Sequence, residues 1–385
     1  LLLPPRYQIA VAVDLGQQGQ SVWYDNIRRS MITTGELNRL IQEDGLSGMT
    51  SNPAIFEKAI SGSDDYRGAL RQLASAGLQP LEIYESIAME DIRWAADVML
   101  PVYERTEGID GYVSLEVSPH LAHDTQGTVE EALRLATDVG RRNVMIKVPG
   151  TAAGIPAVEQ LIAQGININI TLLFSQENYL QVAQAYIAGL EQLASRGGDL
   201  SSVGSVASFF ISRIDAFVDG LIDERLPETG SAERRVALRS LKGRVAIANA
   251  KLAYASYKSL IADERWQQLA ANGARPQRLL WASTSVKNPS YRDVLYVEEL
   301  IGPDTVNTMP DATYEAFREH GMPRPALEED LDEAADVMET LGAAGISIEE
   351  VTDKLQADAV RLFVEPFDKL LATIEDQCAA VVRRA

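Results

Sequence analysis

Lys147 is the lone cation in the apolar run Val144-Met145-Ile146-Lys147-Val148-Pro149-Gly150-Thr151. A lysine in such a run loses hydration, which disfavours its ammonium form and leaves an amine able to attack a carbonyl carbon. The competing reading is an ion-paired lysine at a strand end, so the surrounding residues decide. Polar residues recur at alternate positions of other short β-rich runs. Asp25 ends Val22-Trp23-Tyr24-Asp25, Thr50 and Asn52 alternate in Met49-Thr50-Ser51-Asn52-Pro53, Ser114, Glu116 and Ser118 alternate with Val113, Leu115 and Val117, and Asn167, Asn169 and Thr171 alternate with isoleucines. Side chains two apart on a strand share a face, so each run presents one polar and one apolar side. A neutral amine, two carboxylates and several amides and hydroxyls around a small cavity suit reversible carbon–carbon cleavage of a ketose. Lys147 would form an imine with the ketone. Asp25 or Glu116 would take the proton of the hydroxyl beside the breaking bond, and a second acid–base group would manage the water of carbinolamine dehydration.

An anionic substrate group has candidate partners as well. Arg213 follows the apolar run ending Phe209-Phe210-Ile211-Ser212, where a cation at a helix start is unfavourable without an anion. A sugar phosphate would supply that anion; the alternative is an ion pair with Asp215 or Asp219. Ser283 and Lys287, in Ala282-Ser283-Thr284-Ser285-Val286-Lys287, complete a possible clamp.

These residues need elements that bring them together. Short β-rich runs alternate with longer helical patterns, which predicts parallel strands joined by helical crossovers. Strands are expected near Val22 to Asp25, Gly48 to Asn52, Tyr112 to Val117, Val144 to Val148, Ile166 to Leu172, Val203 to Phe210, Leu279 to Ser283 and Val306 to Met309. That number matches a (β/α)8 TIM barrel of the α/β class, in which functional side chains gather at the C-terminal ends of the strands. A single barrel domain over residues 1–385 is expected, with an N-terminal arm to about residue 20. Helical additions are expected at about 215–272, broken at Gly230 and Gly243, and at about 325–385. The acidic run Glu328-Glu329-Asp330 with Asp332 and Glu333 is expected to be a solvated helix face, and Thr128-Val129-Glu130-Glu131 to open a helix as a capping box.

Composition narrows the classes. The 385 residues, 46% of them apolar, can bury a barrel-sized core, while a formal charge of −20 disfavours nucleic acid or an anionic membrane as partner. Cys378 is the only cysteine, so no intrachain disulfide or thiolate metal site can form. No window reaches a membrane span. The segment from Leu1 to Val13 lacks the pattern of a secretory signal, and a cytoplasmic setting is expected. His120 and His123 lie three apart in a Pro-led segment with only His320 as a further histidine, too few for a metal site, and none is expected.

The motifs together resemble those of the transaldolases. Val144 to Ile155 (V-M-I-K-V-P-G-T-A-A-G-I) matches the family's active-site lysine motif, Thr50-Ser51-Asn52-Pro53 its T-[ST]-N-P, Val113 to Val117 its V-S-x-E-V, and Asn169 to Ser175 its N-x-T-L-x-F-S. Length and the Lys287-Asn288-Pro289 run resemble the long subfamily. The resemblance implies a circularly permuted class I aldolase barrel without metal or organic cofactor, acting on small-molecule sugar phosphates as a monomer or homodimer. By matched motif, Lys147 would be the nucleophile and Asp25 the acid–base group in cleavage, with Glu116 and Thr171 holding the catalytic water. Asn52, Asn169 and Ser208 would bind the dihydroxyacetone unit or substrate hydroxyls, and Arg213 and Ser283 the phosphate. Shorter members resembling this chain carry Ser-x-Arg where Ser283-Thr284-Ser285 stands, which leaves Lys287 as the nearest second cation. The related fructose-6-phosphate aldolases, which release free dihydroxyacetone, have glutamine and tyrosine where this chain has Glu116 and Phe210. The expected activity is therefore transfer of a dihydroxyacetone unit from sedoheptulose 7-phosphate or fructose 6-phosphate to an aldose phosphate in the pentose phosphate pathway, with the aldolase as alternative.

Overall fold

A computed structural model of the chain describes residues 11–382. Eight parallel strands close into a barrel in chain order: β1 (Gln20–Tyr24), β2 (Gly48–Met49), β3 (Tyr112–Glu116), β4 (Val144–Pro149), β5 (Ile168–Leu173), β6 (Ser205–Phe210), β7 (Arg278–Ala282) and β8 (Thr305–Met309). β8 pairs back onto β1 from Gln20↔Thr305 to Tyr24↔Met309. Each expected strand is present, with shifted ends. β2 is shorter than the expected Gly48 to Asn52, because Asn52 caps and Pro53 starts the next helix, Pro53–Gly62. Extending a strand beyond Thr50 would require a backbone donor that proline lacks.

Parity places the polar faces inward. Glu116 pairs with Lys147 and Lys147 with Asn169, so three adjacent strands carry these residues at one level. The opposing Leu115, Ile146, Val148, Ile168 and Ile170 are all buried beneath the surrounding helices. The register breaks between Ile170 and Leu173, where Leu172 adopts a φ of 62°, a left-handed conformation costly for a bulky side chain. At the opposite end of the barrel, the Arg278 guanidinium meets the Asp110 carboxylate at 2.9 Å and the Ser21 hydroxyl at 2.7 Å. The Trp23 indole donates to the same Asp110 at 3.0 Å. Trp23 also dictates Gly48, since a Cβ there would lie 2.5 Å from the indole.

The described part of the N-terminal arm is the helix Val11–Gln17; residues 1–10, which include the segment from Leu1 to Arg6, lie outside the described residues. The insertion between β6 and β7 consists of helices Ser212–Arg225, Ala232–Leu241, Val245–Ala262 and Glu264–Ala271, with Gly230 and Gly243 in the breaks. The tail carries helices Leu331–Ala343 and Ile348–Val382, of which the first packs on Val245–Ala262. The acidic run is helical only from Leu331 on, since Glu328 to Asp330 form the turn that precedes helix Leu331–Ala343, and it does more than face solvent. Glu333 pairs with Arg244, Glu328 with Lys258 at 3.4 Å and Glu329 with Arg324 at 2.6 Å, joining the tail to its neighbours. The capping box is also displaced: Asp124 caps helix Thr125–Val139 by accepting from Gly127 N, and Thr128 lies within its first turn. Asp124 wins because its carboxylate reaches the first free backbone amides.

Candidate active site

β4 carries Lys147 to the floor of a cavity of about 240 Å³ at the C-terminal ends of the strands. The motif around it divides its work. Thr151 Oγ1 donates to Ala122 O at 2.5 Å and accepts from Gly154 N at 3.0 Å, which turns the chain from β4 into helix Gly154–Ile162. Gly154 is required there, because a Cβ would lie 1.8 Å from Pro149 O. Only the lysine of the motif faces the cavity.

Lys147 is 5% exposed. Its Nζ donates to Ser51 O at 3.0 Å and lies 3.4 Å from Glu116 Oε2, an ion-pair contact longer than a well-formed charged hydrogen bond. Burial pushes the Glu116 carboxyl up to about 7, with Lys147 as the opposing influence. Both Glu116 oxygens and Thr171 Oγ1 are buried without a hydrogen-bond partner among the described residues. Asp25 is half-buried and lines the cavity. Burial raises its pKa, while Lys147 and a 2.7 Å bond from Thr50 Oγ1 lower it. Thr308 Oγ1 lies 2.6 Å from Thr50 Oγ1, so a hydroxyl pair backs this carboxyl.

The amides separate in role. Asn169 Oδ1 accepts from Ser208 Oγ at 2.7 Å and its Nδ2 donates to Ser114 Oγ at 3.1 Å, forming a buried chain across β6, β5 and β3. Asn52 lines the cavity, but its Oδ1 caps a helix by accepting from Ile55 N at 3.0 Å. Asn167 lies away from the cavity and ties β5 to its neighbours through Arg142 O and Gly204 N.

Arg213, Ser283, Ser285 and Lys287 line the opposite wall. Neither Asp215 nor Asp219 pairs with Arg213. Asp215 accepts from Ala246 N and Tyr296 OH, and Asp219 from Gly243 N and Tyr291 OH. The Arg213 guanidinium instead lies 5.6 Å above the Phe210 ring, and burial lowers its pKa. Burial and Arg213 also lower the pKa of Lys287, whose Nζ donates to Ser285 Oγ at 2.7 Å. Two cations thus share one wall, the electrostatic arrangement of an anion site. Ser283 holds a φ of 56° at the end of β7, and its hydroxyl lies 3.1 Å from Ser212 Oγ.

Three contributors escaped the sequence reading. Ser51 acts through its carbonyl, which a residue-type pattern cannot reveal. Thr308 acts through Thr50, the hydroxyl that alternates with Asn52 in the sequence and that donates to Asp25. Phe363 reaches the cavity from the tail helix Ile348–Val382 and carries no local motif. His120 pairs with Asp368 at 2.7 Å, and the described residues contain no cluster of three His, Cys, Asp or Glu placed to hold a metal. No helix among them is long and apolar enough to cross a membrane.

A closed parallel barrel with a polar, lysine-floored cavity at the C-terminal ends of its strands defines a (β/α)8-barrel enzyme. A family model described as Transaldolase/Fructose-6-phosphate aldolase matches residues 22–374, and the chain belongs to that family. It is 48% identical over 367 residues to a transaldolase of Trichodesmium erythraeum (strain IMS101), covering 95% of this chain and 97% of the relative. It is 50% identical over 368 residues to transaldolase 2 of Nostoc punctiforme, covering 95% and 97%. The figure for a transaldolase of Thermobifida fusca (strain YX) is 47% over 367 residues, covering 95% and 98%.

Proposed function

We propose that this chain is a transaldolase that moves a dihydroxyacetone unit from a ketose phosphate to an aldose phosphate through an imine on Lys147, as one catalytic domain in the cytoplasm. The observation that carries the reading is Lys147 buried against Glu116 in the cavity that Arg213 and Lys287 also line. Lys147 Nζ adds to the C2 carbonyl of fructose 6-phosphate while the two cations hold the phosphate. Glu116 accepts the proton that the amine must lose, and the Glu116 oxygens and Thr171 hydroxyl, which make no hydrogen bond among the described residues, support a water held between them during dehydration. Asp25 then takes the C4 hydroxyl proton, the C3–C4 bond breaks, and its electrons pass into the imine. Burial favours that step, because a carboxylate with a raised pKa is a stronger base. The buried Asn169–Ser208 pair and Asn52 supply partners for the hydroxyls of the retained three-carbon unit. Sedoheptulose 7-phosphate would enter as the other donor.

The test is incubation with fructose 6-phosphate, with and without erythrose 4-phosphate, following glyceraldehyde 3-phosphate under multiple-turnover conditions. Sustained release only with the acceptor is the expected result; equal release without it would make the chain a fructose-6-phosphate aldolase. Lys147→Ala should abolish both turnover and borohydride trapping of the donor on the protein, and transfer surviving in that variant would overturn the imine.

A further inference from the structure

The lining of the cavity that holds Lys147 is polar except for Phe210, Phe363, Ala282 and Pro310. Phe363 belongs to the tail helix Ile348–Val382, which lies across the C-terminal end of the barrel, and it is 6% exposed. Gln356, seven residues earlier and therefore on the same helix face, fixes that placement. The two hydrogens of its Nε2 are shared among Gly150 O at 3.1 Å just beyond β4, Leu172 O at 3.1 Å in the strained turn of β5, and Asn178 Oδ1 at 3.0 Å. Further along, Asp368 meets His120 and Lys369 meets Glu57 at 2.7 Å each, while the Phe367 ring packs edge-on against Tyr84. The helix is thus joined directly to the strand ends that carry Lys147 and Thr171.

We propose that Phe363 is a specificity-determining residue that decides between transfer and hydrolysis. The inference rests on the transaldolase reading above. After cleavage, the dihydroxyacetone unit remains on Lys147 as an enamine. In transfer, its nucleophilic carbon forms the new carbon–carbon bond to the acceptor aldehyde, the aldehyde oxygen takes the proton that Asp25 acquired in cleavage, and the water freed at dehydration hydrolyses the new iminium to release the ketose and the Lys147 amine. In the competing route that carbon takes a proton from water, the resulting hydroxide adds to the iminium carbon, and the carbinolamine collapses to dihydroxyacetone and the free amine, so one water is consumed. Phe363 and Phe210 present two hydroxyl-free rings to the cavity, limiting the water that can supply that proton. The aldehyde, delivered by its phosphate to Arg213 and Lys287, is favoured over water.

The measurement is the ratio of glyceraldehyde 3-phosphate release without acceptor to release with erythrose 4-phosphate, normalised to borohydride-trapped protein so that only imine-forming molecules count. Phe363→Ala should raise this ratio about tenfold, equivalent to about 1.4 kcal/mol in relative barrier. Phe363→Leu, which keeps most of the apolar volume, should raise it less and reads the effect even if the alanine variant folds poorly. An unchanged ratio in both variants would overturn the role of Phe363 while leaving the transaldolase reading intact. Wild-type release independent of acceptor would overturn that reading, and the inference with it.

Discussion

Glu116 is the residue whose surroundings bear most directly on rate. Its carboxyl, pushed up to about 7 by burial, can take the Lys147 proton only when ionised. Acidification below about pH 7 leaves it protonated, so kcat should fall on the acid side and hold on the alkaline side of that value. Glu116→Gln should lower kcat by roughly 100-fold and erase the inflection; a rate profile from pH 5.5 to 8.5 that keeps its acid limb in the variant would assign the limb elsewhere. At this scale the sequence revealed a good deal, because strand parity, taken with inward-pointing faces of a barrel, grouped Asp25, Asn52, Glu116, Lys147, Asn169 and Thr171. It could not distinguish residues facing the cavity from those beneath it. Asn169 lies wholly buried within a hydroxyl chain, and half of the Asn52 amide serves a helix cap. Those assignments depend on which partner a side chain finds across the barrel, and no local pattern encodes that.

Among the elements, the helix Ser212–Arg225 links the anion wall to the rest of the insertion. Arg213 lies in its first turn, and two residues further on Asp215 reaches the opening turn of Val245–Ala262 and Tyr296. Asp215 has no cation as hydrogen-bond partner, and burial pushes its carboxyl from 3.8 to about 7. The folded chain therefore keeps a proton that the unfolded chain has released between those values. The stability due to Asp215 declines as pH rises across that window and levels off above about 7. Asp215→Asn should remove this decline, shifting the stability difference toward the variant by up to roughly 4 kcal/mol between pH 4 and 8. Denaturant unfolding at both pH values measures it, and parallel pH dependence in the two proteins would refute it. The strands and the insertion were legible because hydrophobic period and the breaks at Gly230 and Gly243 are local signals. The tail helix was legible as a helix but not as a wall of the cavity, since Gln356 meets β4 and β5 only once the barrel has closed.

Across the whole molecule the two barrel ends divide stability from chemistry. The cavity occupies one end, and Arg278, Asp110, Ser21 and Trp23 plug the other. Arg278→Met would leave the Asp110 carboxylate buried without its counter-charge, costing about 3–5 kcal/mol. The variant should melt several degrees lower while kcat and KM of the folded fraction hold, and a raised KM would connect the plug to substrate. The tail helix has a consequence for how the protein is made. During synthesis, β1 emerges early but remains unpaired on one side until β8 leaves the ribosome, and Phe363 follows later still. A nascent chain can thus expose Lys147 throughout the interval in which the segment between it and Phe363 is made, without a sealed chamber around it. Competence to hold a reactive enamine away from water therefore arrives later than the reactive amine itself, once the tail has docked on the closed barrel.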